Sequence, residues 1–150
     1  MVNEETNEIT NSASVVRGAM TSSPRSIEGT ASVVEAAKLM VAENVGSLPV
    51  VDGNRLVGIV TDRDLVIQVL AGERDAASTT VSEICSTQPV VAHRDESLVD
   101  ALTRMAAKQV RRLPVVEDDD ELIGMLSQAD VARAAEFEAT GKMVERISQD

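Results

Sequence analysis

The stretch Leu48-Pro49-Val50-Val51-Asp52-Gly53-Asn54-Arg55-Leu56-Val57-Gly58-Ile59-Val60-Thr61-Asp62-Arg63-Asp64 is written a second time about 65 residues further on. Leu113-Pro114-Val115-Val116 repeats its first four residues unchanged. After one inserted residue, Leu122-Ile123-Gly124-Met125-Leu126-Ser127-Gln128-Ala129-Asp130 answers to Leu56 through Asp64. Two apolar runs of strand length around Asp52-Gly53-Asn54, a tight-turn signal, predict a hairpin with antiparallel arms. In the second copy the bend is the acidic run Glu117-Asp118-Asp119-Asp120-Glu121. Its carboxylates are adjacent rather than spaced around a loop, as a cation site would need, so it reads as a solvated tip. The chain is a tandem of two homologous units, and any functional site is expected in two versions.

Working outward, Val33-Val34-Glu35-Ala36-Ala37-Lys38-Leu39-Met40 returns as Leu98-Val99-Asp100-Ala101-Leu102-Thr103-Arg104-Met105. Ser32 with Glu35, and Ser97 with Asp100, have capping-box spacing. Val33, Ala36, Ala37, Met40, Val41 and Val45, like Leu98, Ala101, Leu102 and Met105, recur at helical spacing. Short β-prone stretches, 25–27 and 90–92, precede these helices, so strand, helix and strand form a right-handed parallel crossover. A further helix is expected from Thr61 to about Leu70 and from Ser127 to about Ala135. Each unit therefore reads β-α-β-β-α, an α/β (α+β) fold. Val16 to Met20 and Val81 to Cys85 look like lead-in helical turns, and 71–79 like a linker. The expected organisation is a disordered, polar tail over 1–14, a first domain over 15–75, a second over 76–136, and a short C-terminal helix or tail over 137–150.

Each repeat is too small to be comfortably stable alone, so a shared core is expected. Phe137 is the one aromatic residue, and aliphatic side chains must fill the interior. The net charge of −11 is spread over both halves, which argues against nucleic acid as a partner. The acidic, polar N-terminus has no apolar stretch and reads as neither a signal peptide nor a membrane anchor. One cysteine, Cys85, excludes an internal disulfide and suits a reducing cytoplasm. Cys85 aligns with Met20 and reads as a small core residue. His93 aligns with Glu28 and reads as a surface residue. No nucleophile signature or metal-ligand cluster points to an enzyme.

The order of helical turn, strand, helix, Leu-Pro-Val-Val, Gly-containing strand and Thr/Ser-x-x-Asp resembles the cystathionine-β-synthase (CBS) domain, and two in tandem resemble a Bateman module. Gly58 to Leu65 and Gln109 to Val115 are similar to stand-alone bacterial CBS pairs, including the hypoxic-response type. The resemblance covers 15 to about 136. It implies two sheets packed about a pseudo-two-fold axis, with two clefts that in many members bind AMP, ADP, ATP or S-adenosylmethionine.

Residue chemistry agrees with that placement. Thr61 and Ser127 stand where a strand passes into a helix, where free backbone N–H groups favour phosphate oxygens. Asp64 and Asp130 could accept hydrogen bonds from both ribose hydroxyls, the role the family assigns to these positions. The same spacing also describes plain helix capping, and a hydroxyl can serve either purpose. Arg111 and Arg112 occupy a position where ligand-binding members often carry His-Arg, and adjacent guanidiniums can clamp phosphate. Repeat one has Gly46-Ser47 there, leaving Arg63 as its nearby cation. Without stacking rings, adenine would lie between aliphatic walls such as Ile27 and Val45 or their counterparts. Pro49 and Pro114 read as residues that shape the cleft.

Two functions follow from this reading: a cytosolic sensor or regulator that binds an adenosine-containing small molecule, or a ligand-free interaction scaffold. No resident cofactor is expected, only an adenine nucleotide as regulatory ligand, and the regulated protein is unspecified. The apolar run Val66, Ile67, Val69 and Leu70 exceeds what one monomer core needs. A homodimer, the four-domain disk the family often forms, is therefore expected.

Overall fold

The capping signals and strand-length apolar runs organise the chain as they should locally. The computed structural model describes residues 14–136, so the expected N-terminal tail and C-terminal helix lie outside the described residues, apart from Ser14. In chain order, a first lead-in holds α1 (Val16–Ala19) and β1 (Thr21–Ser22). Repeat one follows with β2 (Ile27–Glu28), α2 (Val33–Glu43), β3 (Ser47–Asp52), β4 (Arg55–Thr61) and α3 (Asp62–Asp64), which runs into a π-helical turn over Leu65–Leu70. The second lead-in holds α4 (Val81–Ile84) and β5 (Ser86–Thr87). Repeat two follows with β6 (Ala92–His93), α5 (Leu98–Lys108), β7 (Arg112–Glu117), a 3-10 turn over Asp118–Asp120, β8 (Glu121–Ser127) and a helix, α6, over 128–136.

At the start of α2, Ser32 Oγ accepts the Glu35 N–H at 3.2 Å and the Glu35 carboxylate accepts the Ser32 N–H at 2.9 Å, so both orphan donors are satisfied. On α5, Ser97 Oγ accepts the Asp100 N–H at 3.1 Å, but the reciprocal arm expected from the spacing is not formed. Both helices end on a left-handed residue, Asn44 and Gln109, whose N–H groups close onto the last turn. Val33, Ala36 and Met40, and Leu98, Ala101 and Met105, are the buried stripes. Val41 and Leu102, placed with them by periodicity, are exposed instead.

The chain divides into two compact units, and neither is one repeat. One contains 25–89 with 118–122, and the other contains the described residues of 1–24, 90–117 and 123–150. In the first, β2 pairs parallel with β3, β3 antiparallel with β4, and β4 antiparallel with β5. In the second, β6 pairs parallel with β7, β7 neighbours β8, and β8 pairs antiparallel with β1. The lead-ins are thus exchanged: β5, upstream of repeat two, completes the repeat-one sheet, and β1 completes that of repeat two. Backbone bonds support the exchange, with Val81 N–H to Ala31 O at 2.8 Å and Ser82 N–H to Gly29 O at 2.9 Å in the first unit. Val16 N–H to Glu96 O and Arg17 N–H to Arg94 O, both 2.9 Å, do the same in the second.

The expectation of one shared core is corrected accordingly. Buried apolar side chains gather in two clusters, each closed by the other repeat's lead-in. Val81 and Ile84 join Ile27, Val33, Met40, Leu48, Val50 and Val60, whereas Val16 joins Ala92, Leu98, Met105, Leu113, Val115 and Leu126. A 55-residue repeat buries too little surface alone, and borrowing a lead-in supplies the missing wall.

The exchange also explains the glycine in each Gly-containing strand. Gly58 stands opposite Thr87 and Gly124 opposite Ser22. A Cβ on Gly58 would lie 2.4 Å from the Ser86 carbonyl oxygen and 3.0 Å from Cys85 Sγ, and one on Gly124 would lie 2.6 Å from Met20 Sδ. The aligned pair Met20 and Cys85 therefore share one packing role. Burial pushes the Cys85 thiol up, the opposite of what a reactive cysteine needs.

The repeats differ where an ion pair replaces apolar packing. At the positions of Ala31 and Leu39, which pack against the first cluster, repeat two carries Glu96 and Arg104. The Arg104 guanidinium spans the Glu96 carboxylate and the Val91 carbonyl oxygen, and Glu96 also accepts the His93 N–H at 3.1 Å. Burial alone would raise the Glu96 carboxyl, but the Arg104 hydrogen bond, the His93 N–H and the Arg104 charge outweigh it and hold the group below the usual carboxylate range. A carboxyl depressed on folding adds stability above its unfolded value of about 4.3, and that stability is lost as pH falls through the lower folded value. Glu96→Gln is therefore expected to cost about 1 kcal/mol at pH 7, with the gap to wild type closing below about pH 4. Urea melts across pH 3 to 7 check it.

Candidate functional site

In both repeats an antiparallel strand ends at a hydroxyl residue and turns into a helix, and the start of the preceding strand lies beside that turn. In repeat one, Thr61 Oγ1 accepts the Asp64 N–H at 3.1 Å, and Asp64 Oδ2 accepts the Thr61 N–H at 2.9 Å. In repeat two, Ser127 Oγ accepts the Asp130 N–H at 3.1 Å, and Asp130 Oδ2 accepts the Ser127 N–H at 2.9 Å. The turn is tied to the preceding strand in the same way each time: Asp62 N–H to Gly46 O at 2.9 Å, and Gln128 N–H to Arg111 O at 3.0 Å. The capping alternative is thus realised at both sites, and in each the cap engages one carboxylate oxygen, Oδ2. Asp64 Oδ1 accepts no hydrogen bond from a described residue.

The two versions diverge around that shared frame. Asp130 is buried, and its Oδ1 accepts from Arg133, whereas Asp64 is half-buried and the residue corresponding to Arg133 is Ile67. Arg111 and Arg112 are exposed, and neither guanidinium forms an ion pair with a described residue, in spite of the acidic surroundings. Arg63 is likewise exposed without an ion pair among the described residues. In repeat one, the Asp62 carboxylate lies over Gly46, with Oδ2 3.0 Å from where a Cβ of residue 46 would be. Ile27 is a buried core residue of the first cluster, and half-buried Val45 packs against the same cluster, so the two expected adenine walls belong to one apolar cluster. Their counterparts Ala92 and Val110 repeat this in the second cluster.

Sequence reading missed Asp62 and Arg133. The signal was available: inside otherwise matching motifs, Asp62 answers to Gln128 and Ile67 to Arg133, so the charge at these positions differs between the two copies. After Asp64 the helix takes wide π turns, with Ala71 N–H bonded to Val66 O at 2.9 Å, while the helix after Asp130 is α-helical. Such widened turns frequently stand at functional sites. Among the described residues no group of His, Cys, Asp or Glu could hold a metal ion, and no helix is long and apolar enough to cross a membrane.

Comparison with known proteins matches this architecture to one family. The model of the CBS domain matches residues 16–71 and again 81–136. The CBS domain-containing protein YhcV of Bacillus subtilis is 38% identical over 136 residues, covering 90% of this chain and 96% of YhcV. Hypoxic response protein 1 of Mycobacterium tuberculosis is 34% identical over 75% of this chain and 78% of its own. A solved structure of Hypoxic Response Protein I with two coordinated zinc ions is 32% identical over 79% of this chain and 97% of its own, with a TM-score of 0.73. CBSX2 in complex with AMP is 33% identical over 81% of this chain and 96% of its own, with a TM-score of 0.72. The CBS domain pair of protein MJ0100, bound to 5′-methylthioadenosine and S-adenosylmethionine, is 26% identical over 83% and 97%, with a TM-score of 0.71.

Proposed function

Because the chain belongs to the CBS-domain family as a tandem pair, we propose that it is a regulatory module whose Thr61/Asp64 and Ser127/Asp130 sites take adenosine-containing ligands. The observation that carries this reading is the repetition of one geometry: a carboxylate held by a capping box at the end of a Gly-containing strand, built twice from different residues. Asp64 and Asp130 would receive the ribose hydroxyls. Ile27 and Val45 would flank the adenine of repeat one, with Ala92 and Val110 in the corresponding places of repeat two. Arg111 and Arg112, free of ion pairs with described residues, would neutralise phosphate in repeat two, and Arg63 is the nearby cation of repeat one. AMP in CBSX2 and 5′-methylthioadenosine with S-adenosylmethionine in MJ0100 support this ligand class.

A panel of AMP, ADP, ATP and S-adenosylmethionine in thermal melts tests the reading, since a ligand at about 100 times its dissociation constant adds roughly 2.7 kcal/mol. Asp130→Asn sharpens the test. An amide oxygen can still accept the Ser127 N–H, so the cap survives, but the charged acceptor for ribose is gone. Affinity at that site is expected to fall about tenfold by isothermal titration, and the lost ion pair with Arg133 is expected to lower stability by about 1 kcal/mol. Unchanged affinity would reduce Asp130 to a helix cap.

The second reading, an interaction scaffold working as a homodimer, is favoured by Val66, Ile67 and Leu70, which are exposed on the turns after Asp64. Val69 does not belong to that face, because it is buried in the first cluster. Covering the three with a second copy would close a two-fold assembly, the form most common among homo-oligomers. Light scattering at micromolar concentration is expected to give about twice the 16.0 kDa chain mass. A monomer throughout that range would reject the assembly. Cys85, kept as a thiol, suits the cytosol as the working compartment.

A further inference from the structure

We propose that Asp62 makes the repeat-one site a phosphate-rejecting one, so that its ligand is an adenosine derivative without a 5′-phosphate, uncharged or bearing a sulfonium. This rests on the adenosine reading above and assigns a ligand class to one of its two sites. The Asp62 carboxylate lies against Gly46, where repeat two has the first arginine of its phosphate clamp, and it is held there. Its Oδ1 accepts the Arg63 N–H at 2.8 Å while its own N–H donates to Gly46 O at 2.9 Å. Repeat two makes the corresponding backbone bond with the neutral Gln128 and points no carboxylate at that spot. The helix repeats the contrast, with Ile67 where Arg133 pairs with Asp130. Over the matched positions 46, 47, 62–64 and 67, repeat one carries a net −1. Over 111, 112, 128–130 and 133, repeat two carries a net +2. A carboxylate beside a phosphate dianion repels it, and because Asp62 is exposed that repulsion is screened by salt. The same carboxylate leaves a thioether nucleoside unaffected and attracts a sulfonium.

Site-resolved affinities decide the matter. Amide NMR titrations of the full chain with 5′-methylthioadenosine, S-adenosylmethionine and AMP would be followed separately at Gly46, Thr61 and Asp62 and at Arg111, Ser127 and Gln128. The repeat-one amides are expected to report tighter binding of 5′-methylthioadenosine than of AMP. Asp62→Asn keeps the turn acceptor and removes the charge. It should strengthen AMP binding there about 3- to 10-fold, leave 5′-methylthioadenosine unchanged and leave the repeat-two amides untouched. Equal binding of AMP and 5′-methylthioadenosine by wild-type repeat one, or an AMP preference unmoved by Asp62→Asn, overturns the inference while the adenosine reading stands. Silence at both sets of amides with every nucleoside removes that reading and the inference with it.

Discussion

Gly58→Ala is expected to lower stability by about 3 kcal/mol or more, a fall of about 10 °C in melting temperature for a domain of this size. The added methyl would meet the Ser86 carbonyl oxygen at 2.4 Å, and that oxygen belongs to the exchanged strand β5. Relieving the overlap means moving β5 off β4, and with it Val81 and Ile84, which close the first cluster. Gly124→Ala is the informative comparison. Its nearest obstacle is Met20 Sδ at 2.6 Å, the far part of a flexible side chain, with the Thr21 carbonyl oxygen at 3.0 Å. Its cost should be about half that of Gly58→Ala. Thermal and urea melts followed by circular dichroism measure both. If each variant stays within about 0.5 kcal/mol of wild type, the exchanged strands contribute little to stability and the account of these glycines fails.

Replacing Arg111 and Arg112 together by the Gly-Ser of repeat one is expected to weaken ATP binding about 30-fold while changing adenosine binding less than about twofold. Neither guanidinium is paired with a described acid, so neither has to leave a protein partner to meet phosphate. Both are exposed, which is why about 1 kcal/mol each is the appropriate scale rather than the larger value of a buried charge-assisted bond. In a chain of net charge −11 they oppose a field that otherwise repels nucleotides. The difference between wild type and the double variant should therefore shrink as salt rises from 50 to 150 mM. Isothermal titration at both salt concentrations provides the check. ATP affinity equal to wild type at each would leave these arginines as surface residues.

How much of this was legible in the chain depends on the range of the interactions involved. Capping, hairpin turns and the alternation of buried residues are decided within a few positions, so the helices behind Ser32 and Ser97, the bend at Asp52-Gly53-Asn54, and the strand-to-helix turns at Thr61 and Ser127 could be read residue by residue. The repetition of those signals carried the fold class and both positions of the candidate site. The exchange of lead-ins could not be read that way. Val16 and Val81 are equivalent buried residues in equivalent short helices, and nothing local says which repeat each will pack on. The choice is made by long-range sheet pairing and by the apolar surface each cluster lacks. Val41 and Leu102 were misplaced for the same reason, since periodicity ranks the faces of a helix but only packing sets how wide the buried stripe is. The sequence alone thus determined two homologous β-α-β-β-α units with a capped carboxylate in each. Tertiary structure decided which lead-in completes which core, why Gly58 and Gly124 must be glycine, and that Asp62 stands where the other repeat has an arginine, because those facts are set by side chains meeting across distances no local pattern encodes.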